Sequence, residues 1–122
     1  MIATAVFKTA LNIHKQLGPG LLESVYEECL YHDLVKQGLR TEKQKSLPLI
    51  YNEVDLEVGY RVDLMVENKF IIEIKSVEAL NEVHLAQILT YLKLSGCRLG
   101  MLINFNVAYF KTGVRRVING KL

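Results

Sequence analysis

The chain has 122 residues, 15 Lys or Arg against 13 Asp or Glu, and a hydrophobic share of 50%. That length and apolar content suit a single α/β domain with a real core, and there are no repeats, linkers or low-complexity tracts. No apolar run is long enough to span a bilayer, and the amino end reads as an amphipathic helix rather than a signal peptide, so a cytoplasmic protein with no membrane partner is expected. The net charge of +2 names no partner, but residues 1–60 hold six cations against eight anions and residues 61–122 hold nine against five. The carboxyl half is therefore the better candidate for a face toward a polyanion. Cys29 and Cys97 sit among apolar neighbours. Two cysteines cannot ligate an iron–sulfur cluster alone, and they read as buried free thiols rather than a disulfide.

Ile2, Ala5, Val6, Thr9, Ala10, Ile13 and Leu17 recur at helical spacing, and Gly18-Pro19-Gly20 stops the helix. His14 lies near its apolar edge and reads as a packed or hydrogen-bonded histidine. A second helix is expected over residues 22–37, with Leu22, Val25, Tyr26, Cys29, Leu30 and Leu34 as its buried stripe and Gly38 at its end. Glu23 falls in its first turn, where the helix dipole alone would favour a carboxylate. Residues 40–51 read as a strand with a polar start, and Pro48 argues for a sheet edge or a bend. Tyr51-Asn52-Glu53 reads as a turn, after which residues 54–60 lead into a hairpin.

That hairpin, Tyr60 to Ser76, organises the chain. Two runs rich in Val, Ile, Phe and Tyr flank Glu67-Asn68-Lys69. With a three-residue turn, Val66 opposes Phe70, Leu64 opposes Ile72, Asp63 opposes Glu73 and Arg61 opposes Lys75. The four charged residues then share one face, and Val62, Leu64, Val66, Phe70, Ile72 and Ile74 share the other. A two-residue turn would separate Asp63 from Glu73. The odd loop needs a left-handed residue, supplied by Asn68 or Lys69. Two opposed carboxylates repel unless compensated. Either Arg61 and Lys75 form salt bridges with them, or a divalent cation such as magnesium or manganese binds between them, with Lys75 beside a metal-bound water.

Residues 76–81 form a connection, and residues 82–95 a helix closed by Gly96. Leu85, Ile88, Leu89 and Leu92 make its core stripe, and His84, Gln87 and Tyr91 a second, polar stripe. Leu99 to Phe105 reads as a strand buried on both faces. Residues 107–110 and 114–118 suggest a closing hairpin about Lys111-Thr112-Gly113, with Arg115 and Arg116 on opposite faces.

Asp63 followed by Glu73-Ile74-Lys75 resembles the PD-(D/E)xK nuclease superfamily, although Val62 stands where the motif has proline. Gly20-Leu21-Leu22-Glu23-Ser24-Val25-Tyr26 resembles the signature of the GxxExxY branch. Gln87-Ile88-Leu89-Thr90-Tyr91 is similar to the QxxxY motif of recombination exonucleases, and Leu102-Ile103-Asn104-Phe105-Asn106 also resembles the family. The likeness covers nearly the whole chain. It implies one nuclease-like domain over residues 1–122, with an αβββαβ restriction-endonuclease-like core: a mixed central sheet flanked by helices, the last strand parallel to the Glu73 strand. It also implies metal-dependent hydrolysis of DNA, or alternatively of RNA, in repair or recombination. The implied catalytic set is Asp63, Glu73, Lys75, Glu23, Gln87 and Tyr91. The implied ligands of Mg2+ or Mn2+ are Glu23, Asp63, Glu73 and the backbone carbonyl of Ile74. Two other readings compete: a nucleic-acid-binding module without turnover, and a protein-interaction subunit whose Leu49, Tyr51 or Phe110 build a homodimer.

Overall fold

The computed structural model describes residues 1–120, apart from the side chains at 57 and 58; the last two residues of the expected domain, 121–122, lie outside the described residues. In chain order the elements are α1 (Ile2–Leu17), α2 (Glu23–Lys36), β1 (Thr41–Tyr51), β2 (Val54–Val66), β3 (Phe70–Lys75), α3 (Glu82–Ser95), β4 (Leu99–Asn104), a 3-10 turn (Phe110–Gly113) and β5 (Val114–Ile118). The strands form one five-stranded sheet in the order β1-β2-β3-β4-β5. All neighbours run antiparallel except β3 and β4, which are parallel, as expected for strands joined by the crossover through α3. No helix among the described residues is long and apolar enough to cross a membrane.

Helices cover both faces of the sheet. Val6, Ala10 and Ile13 of α1 and Tyr26, Leu30 and Leu34 of α2 pack on Leu64, Val66, Phe70, Ile72, Ile74, Met101 and Ile103. Ile88, Tyr91 and Leu92 of α3 pack on the other face against Val62, Met65, Ile71, Leu102 and Val117. β3 and β4 are thus buried on both sides, which is why their sequences are nearly all apolar. The buried stripe of α2 is narrower than its sequence suggested. Leu22 and Val25 are exposed, because Leu22 is the N-cap and only the Tyr26, Leu30 and Leu34 row faces the sheet. His14 is buried, and its Nε2 lies 2.7 Å from the Val107 carbonyl. It is a hydrogen-bonded core histidine, as expected.

Tyr26 ties the helical layer to the sheet. Its ring stacks on Phe105 at 4.3 Å between centroids. Its hydroxyl donates to the Gly18 carbonyl at 2.6 Å and accepts the Leu21 N–H at 3.2 Å, which fixes the loop between α1 and α2. Tyr26→Phe is expected to cost about 1–2 kcal/mol, since it removes both bonds and little volume. Urea denaturation would check this; an unchanged midpoint would mean that the loop is held by other contacts.

β1 is an edge strand, and its register to β2 shifts between Leu47 and Leu49, across Pro48. The two-residue turn at Asn52 and Glu53 has positive φ at both positions, the conformation that matches strand twist in a tight hairpin. The carboxyl end departs from the expected closing hairpin. Residues 107–110 form no strand. The Phe110 ring instead enters the core beside Phe7, His14 and Phe105, and β5 pairs directly with β4. Phe110 is only 4% exposed and cannot build a dimer surface, whereas Tyr51 at 64% remains free to contact solvent. Gly113 makes this turn possible, because a Cβ there would collide with the Asn104 carbonyl.

Candidate active site

The β2–β3 ladder runs from Val66–Phe70 to Leu64–Ile72 and then stops. The odd loop is therefore present, although its positive φ values fall on Glu67 and Asn68 rather than on Asn68 or Lys69 alone. Past Leu64 the strands exchange side chain for backbone. The Asp63 N–H donates to Glu73 Oε2 at 2.7 Å, and the Ile74 N–H donates to Asp63 Oδ2 at 2.8 Å. Each carboxylate takes up an amide of the other strand. Asp63 and Glu73 are thereby wedged together where the two strands part.

The expected sharing of one face fails upstream of Asp63. Val62 packs with Met65 and Ile71 under α3, not with Leu64. Alternation then puts Arg61 on the face opposite Glu73 and Lys75. The cause lies in β1. Lys43 pairs with Leu64 and Lys45 with Val62, but Gln44, between them, has φ 49 and skips its pair with Asp63. Among the described residues no ion pair joins Asp63 or Glu73 to Arg61 or Lys75. The salt-bridge alternative is not what the structure adopts.

The electrostatics follow from this. Glu73 is 4% exposed. Burial first, and then the neighbouring Asp63, push its carboxyl from 4.5 up to about 8, against the downward pull of the Asp63 N–H and of Lys75. Burial also raises Asp63, opposed by its bond from Ile74, by Gln44 and by Lys75. Burial and Asp63 together raise Glu27, one helical turn beyond Glu23. The site concentrates negative charge with less positive charge than it needs.

The other expected members border this gap. Glu23 is exposed at the start of α2, and its Oε2 accepts the Ser76 N–H at 3.2 Å. It still lies near enough to Asp63 to raise it. Gln87 is half-buried and Tyr91 buried on α3. Burial and then Glu73 push the Tyr91 phenol up to about 12, against a hydrogen bond from Gln87, so its hydroxyl is neutral. Its ring also packs against Tyr60 at 5.5 Å. His84 leaves the polar stripe: its N–H donates to Asn81 Oδ1 and its Nδ1 accepts the Asn81 N–H, closing the N-terminus of α3. The Ile74 carbonyl points toward β2, the same way as its N–H, while the Lys75 carbonyl points to β4 and accepts from Phe105.

Two participants went unrecognised in the sequence. Gln44 Nε2 donates to Glu27 Oε1 at 2.8 Å and to Asp63 Oδ1 at 3.3 Å. The signal for Glu27 was its spacing of four from Glu23, which places both on one helical face. Gln44 gave none, since its role depends on a backbone kink. Asn104, 1% exposed, accounts for the motif around it. Its Oδ1 accepts the Val77 and Asn106 N–H groups and its Nδ2 donates to the Val77 carbonyl, pinning the chain that leaves Lys75.

Asp63, Glu73 and the Ile74 carbonyl offer hard oxygen donors, a set that suits a small divalent cation completed by waters. Among the described residues no three acidic, His or Cys side chains stand close enough to enclose a metal by themselves. A magnesium-type site does not require them to, since such sites often use one or two carboxylates.

A mixed sheet between helical layers, parted beside an aspartate and a Glu-x-Lys strand, defines the restriction-endonuclease-like class of α/β proteins. A family model for the PD-(D/E)XK nuclease superfamily matches residues 1–117, and the chain belongs to that superfamily. A solved chain described as "Crystal structure of SSO0001" shares the fold, with a TM-score of 0.54 and 18% identity, over 100% of this chain and 80% of the other. None of the curated proteins matches the chain significantly.

Proposed function

We propose that this chain is a GxxExxY-type nuclease domain, residues 1–122, that hydrolyses DNA phosphodiester bonds with Mg2+ or Mn2+ in the cytoplasm, in repair or recombination. The observation that carries this is the pairing of half-buried Asp63 with buried Glu73, which form no ion pair among the described residues and stand within the influence of Lys75. Asp63, Glu73 and the Ile74 carbonyl would hold the cation, with Glu23 bordering it. When bound, the cation acidifies a water and neutralises charge at the scissile phosphate. Lys75 orients the attacking oxygen and offsets charge that develops on the phosphate. Gln87 and Tyr91, from the α3 side, contact the phosphate or orient the catalytic groups.

The test is a cleavage screen over duplex, branched and single-stranded DNA, and over RNA, with Mg2+ and with Mn2+. Wild type is expected to cut DNA and Asp63→Asn to lose cutting, while Asp63→Asn melts in chelator at the wild-type temperature or higher. DNA bound but left intact with either metal would point to a binding module instead. A large drop in the melting temperature of Asp63→Asn would mean that Asp63 partners a buried cation, which typically costs about 3–5 kcal/mol when broken.

A further inference from the structure

We propose that Gln44, anchored by Glu27, is a positioning residue that sets the Asp63 carboxylate for cation binding; this rests on the nuclease reading above. The amide of Gln44 has two N–H bonds, and the structure uses one on each carboxylate: Glu27 Oε1 at 2.8 Å and Asp63 Oδ1 at 3.3 Å. The second Asp63 oxygen is held by the Ile74 N–H. Both oxygens are thus tied, and the plane of the carboxylate is fixed. The backbone is bent for this purpose. A left-handed glutamine inside a strand is uncommon, and here it lifts Gln44 out of the ladder directly opposite Asp63.

The choice of a neutral donor is informative. Lys43 and Lys45 flank Gln44, and each pairs with another carboxylate, Glu28 and Glu42. Of the three, only the uncharged Gln44 hydrogen-bonds to Asp63. An amide can orient Asp63 without contributing a positive charge that would compete with a bound cation. Glu27 gives the amide its direction from α2, so that the helical layer and the edge strand both bear on one oxygen of β2.

Mn2+ titration calorimetry on the full chain tests this, alongside melting curves in chelator. Gln44→Gly suits the left-handed backbone and should fold. Gln44→Asn, which tolerates the same φ but falls a methylene short, serves as a second variant. Both, and Glu27→Ala, are expected to weaken Mn2+ binding about 10- to 100-fold, the usual effect of removing a group that orients a metal ligand. Glu27→Gln keeps an acceptor for the amide and should bind as wild type does. Unchanged affinity in the Gln44 variants overturns the proposal. So does a Glu27→Gln that loses as much as Glu27→Ala, because charge rather than the hydrogen bond would then be responsible. If wild type itself takes up no Mn2+, the nuclease reading falls, and this inference with it.

Discussion

Replacing Glu73 with glutamine is expected to raise the melting temperature of the metal-free protein by on the order of 10 °C at alkaline pH, and to abolish its response to Mn2+. Burial and the neighbouring Asp63 push the Glu73 carboxyl from its ordinary 4.5 up to about 8. Between those values the folded chain holds a proton that the unfolded chain has released. Stability therefore falls as pH rises from about 4.5 through about 8, and the full penalty is present above the upper value. That interval corresponds to roughly 3–5 kcal/mol. Glutamine does not titrate. Its carbonyl can still accept the Asp63 N–H, and its amide can donate to the Asp63 carboxylate. The variant and the wild type should melt close together near pH 5 and diverge up to about pH 8. Differential scanning calorimetry in chelator across that range measures the divergence. Parallel curves would show that the Glu73 charge is already compensated, and a variant that melts far lower would reveal a cationic partner.

The same pair of residues shows where sequence reasoning holds and where it stops. Charge parity along the hairpin demanded an odd loop, and the Val66–Phe70 and Leu64–Ile72 pairs follow from it. The parallel β4 followed from a helical crossover, and the edge position of β1 from Pro48. These are local or topological rules with strong steric causes. Alternation failed at Val62 because it assumes an unbroken pleat, and nothing in Lys43-Gln44-Lys45 announces a left-handed residue. Phe110 failed similarly. Val107 to Phe110 has the composition of a strand, but the Phe110 ring is buried against Phe7 and Phe105 and the segment turns instead of pairing. Motif residues also divide in a way that spacing could not resolve. Glu23 is exposed and holds the Ser76 N–H, near enough to Asp63 to raise it, while Tyr26 and Asn104 are buried ties that hold the loops nearby.

Lys75→Met is expected to lower DNA cleavage about 10²- to 10³-fold, and, unlike Glu73→Gln, to destabilise the metal-free protein as pH rises. Lys75 is in phase with Glu73 on β3 and draws both Asp63 and Glu73 downward. Without it the two carboxyls rise further, so the folded chain holds its extra protons to higher pH and loses more stability once they leave. Near pH 5 Glu73 is protonated in either protein, and the melting curves should lie closer together there. Mn2+ has to displace those protons in order to bind, so the pH at which it begins to stabilise the protein should move upward in the variant. Lys75→Arg separates charge from chemistry. It retains the attraction, and so should recover most of the stability and the metal response, but its broad planar guanidinium cannot take the place of a compact ammonium beside the attacking oxygen, and cleavage should stay low. Melting curves with and without Mn2+ at several pH values, read beside cleavage rates, distinguish these effects. A Lys75→Met that cleaves at the wild-type rate would remove Lys75 from the mechanism. One that loses cleavage with no change in the pH dependence of Mn2+ binding would confine its role to the scissile phosphate.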